Sequence, residues 1–205
     1  MRAGELLTEQ MLVTYILGME KPGKRDRTRR QLAEVALDLF EAQGYEQTTT
    51  AEIADVAGVS EMTVFRHYPS KDRLLLDDPY DPHIAAAISA QPTELTALER
   101  VTSGIRRAWR EVPAPAEAAV RRRLRIAART PSLTGAVRAN TQTTERAVAQ
   151  ALVDTGTEPA VARIVAAAVL AALMESLMTW ASADDGTPLG DAIMLALRVL
   201  ESPVR

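Results

Sequence analysis

TTTAEIADVAGVSEMTVFRHYPSK, running from Thr48 to Lys71, reads as two short helices joined by a glycine turn. Thr49-Thr50-Ala51-Glu52 is a capping box, in which a hydroxyl and a carboxylate satisfy each other's orphan backbone donors at a helix start. Ile53, Val56 and Ala57 then fall on one face at helical spacing. Gly58 stands where a chain leaving a helix needs a positive φ, which glycine adopts without steric penalty. Val59 is the expected buried residue of the turn, and Ser60 is a good N-cap for a second helix over 61–68. Met62, Phe65 and Val64 are the expected inward residues of that helix, and Tyr68 is expected in the core. Thr63, Arg66 and His67 are left to face outward. A helix-turn-helix of this form lays its second helix in the major groove of DNA.

The same residues resemble the signature of TetR/AcrR-type transcriptional regulators. They are Thr48, Thr49, Ile53, Ala54, Ala57, Gly58, Val59, Ser60, Thr63, Val64, Phe65, His67, Tyr68, Ser70 and Lys71, preceded by Phe40, Gly44 and Tyr45. The resemblance covers roughly residues 25–75 and departs at Phe65, where relatives often carry a tyrosine whose hydroxyl meets a phosphate. It implies an all-α protein with an N-terminal three-helix DNA-binding domain and a C-terminal helical domain for ligand binding and dimerisation. It also implies that Thr49, Thr63, His67 and Lys71 contact phosphates. Glu61, Met62 and Arg66 occupy variable positions of the motif and are the expected base readers, with Ser60 capping their helix. Arg66 suits O6 and N7 of a guanine, and Met62 suits a thymine methyl. The competing structural readings are an ion pair of Arg66 with Glu61 or with an acid of the preceding helix, a dipole role for Glu61 at its helix N-terminus, and a core position for Met62.

Composition agrees with a helical protein. Of the 205 residues, 47% are hydrophobic but only 4% aromatic, while alanine, leucine and arginine abound. The net charge of −3 does not advertise a nucleic-acid binder, but its distribution is uneven. Lys21, Lys24, Arg25, Arg27, Arg29 and Arg30 crowd ten residues that hold one acid, Asp26. Arg27, within this cluster, is expected to meet phosphate or the minor groove. The absence of cysteine excludes disulfides, thiolate metal sites and cysteine catalysis. Two histidines at unrelated positions make a poor metal site. No Gly-rich phosphate loop, G-x-S-x-G or paired His–carboxylate spacing is present, so no enzyme, catalytic residue or cofactor is expected. The apolar run 11–19 follows Glu5 and Glu9 and lacks the features of a signal peptide. Ile164–Met174, the longest uncharged helical run, is too short to span a bilayer. A soluble cytoplasmic protein with no membrane partner is expected.

Three segments follow: an extension over 1–24, the DNA-binding domain over 25–71 and a regulatory and dimerisation domain over 72–205. The extension carries a helical stripe of Leu7, Met11, Tyr15 and Met19. It reads either as a poorly ordered leader or an overlong start-codon assignment, or as an extra amphipathic helix that packs on its own or a partner's body. A long helix over 25–43 is striped by Leu32, Val35, Ala36, Leu39 and Phe40 and should pack on Ile53 and Val56. Asp77 to Pro82 breaks the chain before a segment over 83–90. Helices are then expected over 93–112, 116–129, 133–153, 158–183 and 189–202, separated by Pro- and Gly-bearing junctions.

Ala160–Trp180 is apolar on nearly every face and so must be buried on two sides. The resemblance supplies the second side, a homodimer built from the last two helices. Val165, Ala168, Ala172, Leu177, Ile193, Leu197 and Leu200 are the expected interface. Trp109, Met174, Met178 and Trp180 are the expected apolar lining of a ligand pocket, with Arg125 and Asn140 among its polar groups. Arg106, Arg110, Arg122, Arg123 and Gln142 are further polar candidates, and one arginine is a candidate holder of an anionic head group. The function this implies is a repressor released from a palindromic double-stranded DNA operator by a small-molecule effector. An activator, a ligand-independent regulator, and a helical adaptor that no longer reads DNA are the alternatives.

Overall fold

The computed structural model describes residues 23–77, 81–111, 117–183 and 185–202. The extension over residues 1–22, with its helical stripe, lies outside them. All regular structure among the described residues is helical. The chain divides into two compact units, with the boundary between Leu74 and Leu75.

The first unit holds α1 (Lys24–Gln43), α2 (Thr50–Ala57) and α3 (Glu61–His67), with α4 (Lys71–Leu76) at the boundary. α1 ends on Gly44, whose φ of +90° lets the chain reverse while its N–H reaches Phe40 O. The inward face of α1 is Leu32, Ala33, Ala36, Leu37 and Phe40. Val35 and Leu39, expected in that stripe, are only half-buried because the face is rotated toward Ala33 and Leu37. α2 packs on α1 through Ile53, Ala54 and Ala57. Val56, expected in the same face, is 63% exposed. The eight residues of α2 make just over two turns, so a second inward residue at Ala54 displaces Val56 to the outside.

The second unit contains α5 (Asp81–Ser89), α6 (Ala97–Glu111), α7 (Glu117–Arg129), a 3-10 turn (Pro131–Leu133), α8 (Thr134–Val153), α9 (Pro159–Ser182) and α10 (Leu189–Glu201). α5 begins two residues before the expected start. Pro82 falls in its first turn, where the missing N–H has no helical partner to lose. α6 begins at Ala97 rather than residue 93, because Thr96 and Glu99 form a second capping box: Thr96 N–H donates to Glu99 Oε2 at 2.8 Å and Glu99 N–H to Thr96 Oγ1 at 3.3 Å.

α9 is the spine of this unit and packs on α6, α7, α8 and α10. At 24 residues it is long and apolar enough to cross a bilayer by length and composition, contrary to the expectation for the shorter uncharged run. One stripe of it, Ala162, Ala166 and Val169, is wholly buried in a core with Ile88, Val101, Val148, Leu152 and Leu197, while most of its other residues are half-buried or exposed. Arg100 is also buried in this unit. Its guanidinium donates to the Thr155 hydroxyl, to Thr157 Oγ1 at 3.2 Å and to Thr155 O, which fastens α6 to the α8–α9 turn.

Candidate functional site

The capping box read from sequence is fully formed at α2. Thr49 Oγ1 accepts from Glu52 N–H at 3.1 Å, and Thr49 N–H donates back to Glu52 Oε2 at 2.8 Å. Those bonds hold the Glu52 carboxyl below the usual carboxylate range. Gly58 is left-handed at φ +69°, and the N–H of Val59 returns to Ala54 O at 3.0 Å. Ser60 then caps α3, accepting from Thr63 N–H at 3.3 Å. The two helices are also stitched at their N-terminal ends, where Thr50 Oγ1 donates to Glu61 Oε1 at 2.6 Å.

α3 is anchored by Val64, which is fully buried, and by Tyr68 immediately after it. Tyr68 donates its hydroxyl to Arg29 O at 3.0 Å while the Arg29 guanidinium lies 4.9 Å from its ring centre. Two inward residues at i and i+4 leave the intervening residues to point away. Met62 is accordingly 74% exposed and Phe65 44% exposed, which corrects the expectation that both face inward. They share the outer side of α3 with Arg66. Arg66 donates to Thr63 Oγ1 at 3.5 Å, and the Glu61 carboxylate accepts from Thr50, so the contacts made by these two residues are not with each other. Arg27 is exposed on the first turn of α1, and Thr49 is exposed at the start of α2.

Two further motif residues are partly drawn into the unit. Lys71 Nζ donates to Tyr45 O at 2.9 Å and Thr48 O at 3.1 Å, and sits 4.2 Å from the Tyr45 ring centre. Two of the three ammonium donors are thus spent on carbonyls of its own unit. His67 Nδ1 is buried without a hydrogen-bond partner. Burial first, and then the charges of Arg66, Arg25 and Arg29, pull its pKa below the ordinary histidine value.

The second unit contains a partly open cavity of about 670 Å³ lined by α4 to α10. Its walls are mostly apolar, with Ile105, Trp109, Leu124, Leu173, Met174 and Met178 prominent. Asp77, His83, Arg123, Arg138, Asn140 and Thr141 are its polar groups. Trp109, Asn140, Met174 and Met178 line it as expected of pocket residues, whereas Arg125 and Trp180 do not. These two close the C-terminal end of α9, where unpaired carbonyls need donors. Arg125 Nε reaches Ala181 O at 2.6 Å, Arg121 reaches Trp180 O at 2.8 Å and also Ala183 O, and the Arg121 guanidinium stacks 4.1 Å from the Trp180 ring centre. Trp180 Nε1 donates to Thr187 O at 2.7 Å. Arg106 is taken by Glu201 at 2.6 Å. Arg123, by contrast, keeps a buried Nε–H with no acceptor.

The expected interface residues are divided by the fold. Ala168 is exposed and Ala172 half-buried. Leu197 is wholly buried inside the unit and unavailable to a partner. Leu177 and Ile193 line the cavity, while Val165, Ile193 and Leu200 pack against the core. The helical period instead brings Val161, Ile164, Ala167, Ala168 and Ala171 of α9 to the surface, with Leu195 and Val199 of α10. Ile164 is 68% exposed.

Comparison with known proteins agrees with this architecture. The model of bacterial regulatory proteins of the tetR family matches residues 32–77. The model of the MftR C-terminal domain matches residues 95–205, more than half the chain. The HTH-type transcriptional regulator TcmR of Streptomyces glaucescens is 38% identical over 91 residues, 42% of this chain and 40% of TcmR. The chain thus matches about two fifths of the length of that relative. Among solved structures, a TerR/AcrR-family transcriptional regulator from Aquifex aeolicus VF5 superposes with a TM-score of 0.51 at 18% identity, over 85% of this chain and 98% of that one. SmeT, the repressor of the Stenotrophomonas maltophilia multidrug efflux pump SmeDEF, does so with a TM-score of 0.52 at 20% identity, over 83% and 87%. At such identities the two structures speak for the fold, and the matched family models carry the assignment. The chain belongs to the tetR family of bacterial regulatory proteins, a class of DNA-binding transcriptional regulators.

Proposed function

We propose that the protein is a cytoplasmic homodimeric repressor that reads a palindromic operator with α3 and leaves it when a small molecule fills the cavity of the second unit. The observation that carries the DNA-reading part is the outer side of α3. Met62, Phe65 and Arg66 stand clear of the protein while Val64 and Tyr68 hold the helix down. Arg66 supplies a planar fork for a guanine edge, and Met62 and Phe65 supply apolar contact for thymine methyls. Phe65 thereby acquires a role that a tyrosine hydroxyl would not serve. Thr49, Thr63, His67, Lys71 and the exposed Arg27 position the helix on phosphates. Ser60 supports the set as the cap of α3 and, with Glu61 held by Thr50, serves geometry more than readout.

Homodimerisation is supported by the exposed apolar face of α9 and α10, and alanines at its centre permit close helix approach. Repression is the sign that the family resemblance implies. A ligand shifts the DNA equilibrium only by its differential affinity for the two forms, so an inducer binds the free protein more tightly than the operator complex. A mobility-shift assay on the DNA flanking its own gene tests the reading. A saturable complex that excess random-sequence duplex fails to displace is expected. Displacement by equal amounts of random duplex would instead identify a helical scaffold that reads no operator.

A further inference from the structure

We propose that the cavity of the second unit takes an amphiphile with a hydrocarbon body and a single anionic head group, and that Arg123 holds that head group. The inference deepens the ligand-release reading by naming the ligand's chemistry. It requires only that a ligand enters the cavity.

The walls favour a hydrocarbon body. Leu124, Leu173, Met174 and Met178 face the same space as Ile105 and Trp109, and such a surface gains by displacing water with apolar groups. Among the polar groups of the lining, Arg123 is set apart by its donor. Its Nε–H is buried with no acceptor, and no salt bridge or hydrogen bond occupies its guanidinium among the described residues. The residue as a whole is half-buried, so the gain open to a ligand is an acceptor for this one buried donor together with the attraction of the charge.

The neighbouring arginines of α7 make the contrast. Arg121 and Arg125 lie one turn apart, and both spend donors on carbonyls at the end of α9. Arg123 is rotated off that face and lines the cavity instead. Arg138 of α8 adds a second guanidinium to the lining, against one acid, Asp77. The local balance therefore favours an anion and repels an amine. A guanidinium fork meets two oxygens of a carboxylate or a phosphate with matched geometry, so both head groups satisfy the site.

Isothermal titration of the full chain with decanoate, decyl phosphate, decanol and decylamine, each below its micelle concentration, tests the proposal. At least one anionic probe is expected to bind roughly ten- to a hundredfold more tightly than decanol, the range of a charge-assisted hydrogen bond, and decylamine more weakly still. The two anionic arms separate a carboxylate site from a phosphate site. Arg123→Met should bring the anions and decanol to equal affinity, while Arg123→Lys should keep part of the preference. Leu173→Trp, which fills the cavity without touching the charge, should weaken all probes together and guards against misfolding of the Met variant. Decanol binding as tightly as both anions, no binding by either anion, or an anion preference that survives Arg123→Met would overturn the assignment. Anion binding through Arg123 that leaves the DNA complex intact would instead uphold the assignment and remove ligand release from the function.

Discussion

His67 shows what the reading helix costs at the level of one side chain. It ends α3 with Nδ1 buried and unpaired, beside Arg66 and facing Arg25 and Arg29 of α1. Its folded pKa is depressed, so the unfolded chain takes up the proton first as pH falls. Stability attributable to His67 is therefore complete above the unfolded value near 6.5 and declines on acidification toward the folded pKa. Melting temperatures of the wild type and His67→Gln between pH 5 and 7.5 are expected to diverge below pH 6.5, with the wild type falling faster. Parallel curves would remove the burial and charge effects assigned to this residue. The sequence motif named His67 and Lys71 as phosphate contacts but gave no sign that His67 is partly buried or that Lys71 has internal partners. Those partners, Tyr45 and Thr48 for Lys71, are more than 20 residues away and become neighbours only through the fold.

Elements were legible where their ends carry local chemistry. Thr49 with Glu52, Gly58 and Ser60 decide α2 and α3 within a few residues of chain, and each forms the bond its type suggests. Thr96 and Glu99 carry the same signal for α6, and the helix starts after that box rather than at residue 93. Which face of a helix turns inward was harder to read. α3 and α9 have apolar residues on several sides, and only the packing partner selects among them. Met62 and Phe65 went outward because Val64 and Tyr68 filled the contact with the rest of the unit.

Close packing between elements also fixes α5 against α6. A Cβ on Gly104 would lie 2.6 Å from Ile88 Cγ1 and 2.8 Å from its Cα, so the helices must separate to accept it. Gly104→Ala is expected to cost about 1–3 kcal/mol, read from the denaturant midpoint. Gly135→Ala on α8, where the added carbon meets nothing within 4 Å, should be neutral or slightly stabilising. Equal effects of the two substitutions would contradict the contact.

At the scale of the whole molecule, the proposed repressor consists of two copies. Among the described residues, the large apolar side chains most exposed in the second unit are Val161, Ile164, Leu195 and Val199, all on α9 and α10. A two-fold dimer buries the same patch on both subunits. Light scattering on Ile164→Asp should find a monomer where the wild type is a dimer, with helical content unchanged. A dimer that survives the substitution would place the interface elsewhere. Leu197, expected at this interface, instead belongs to the interior. Substituting it would unfold the unit rather than divide the dimer.

The most direct test of a two-fold protein reading DNA through α3 is selection from a randomised duplex library by the wild type and by Arg66→Ala. The wild type should retain duplexes with two half-sites related by a dyad, their centres about 34–36 Å apart or a multiple of it. Arg66→Ala should lose preference at one base position in each half-site, symmetrically, while keeping the spacing. Retained duplexes with a single half-site, or base preferences identical in the two proteins, would contradict it.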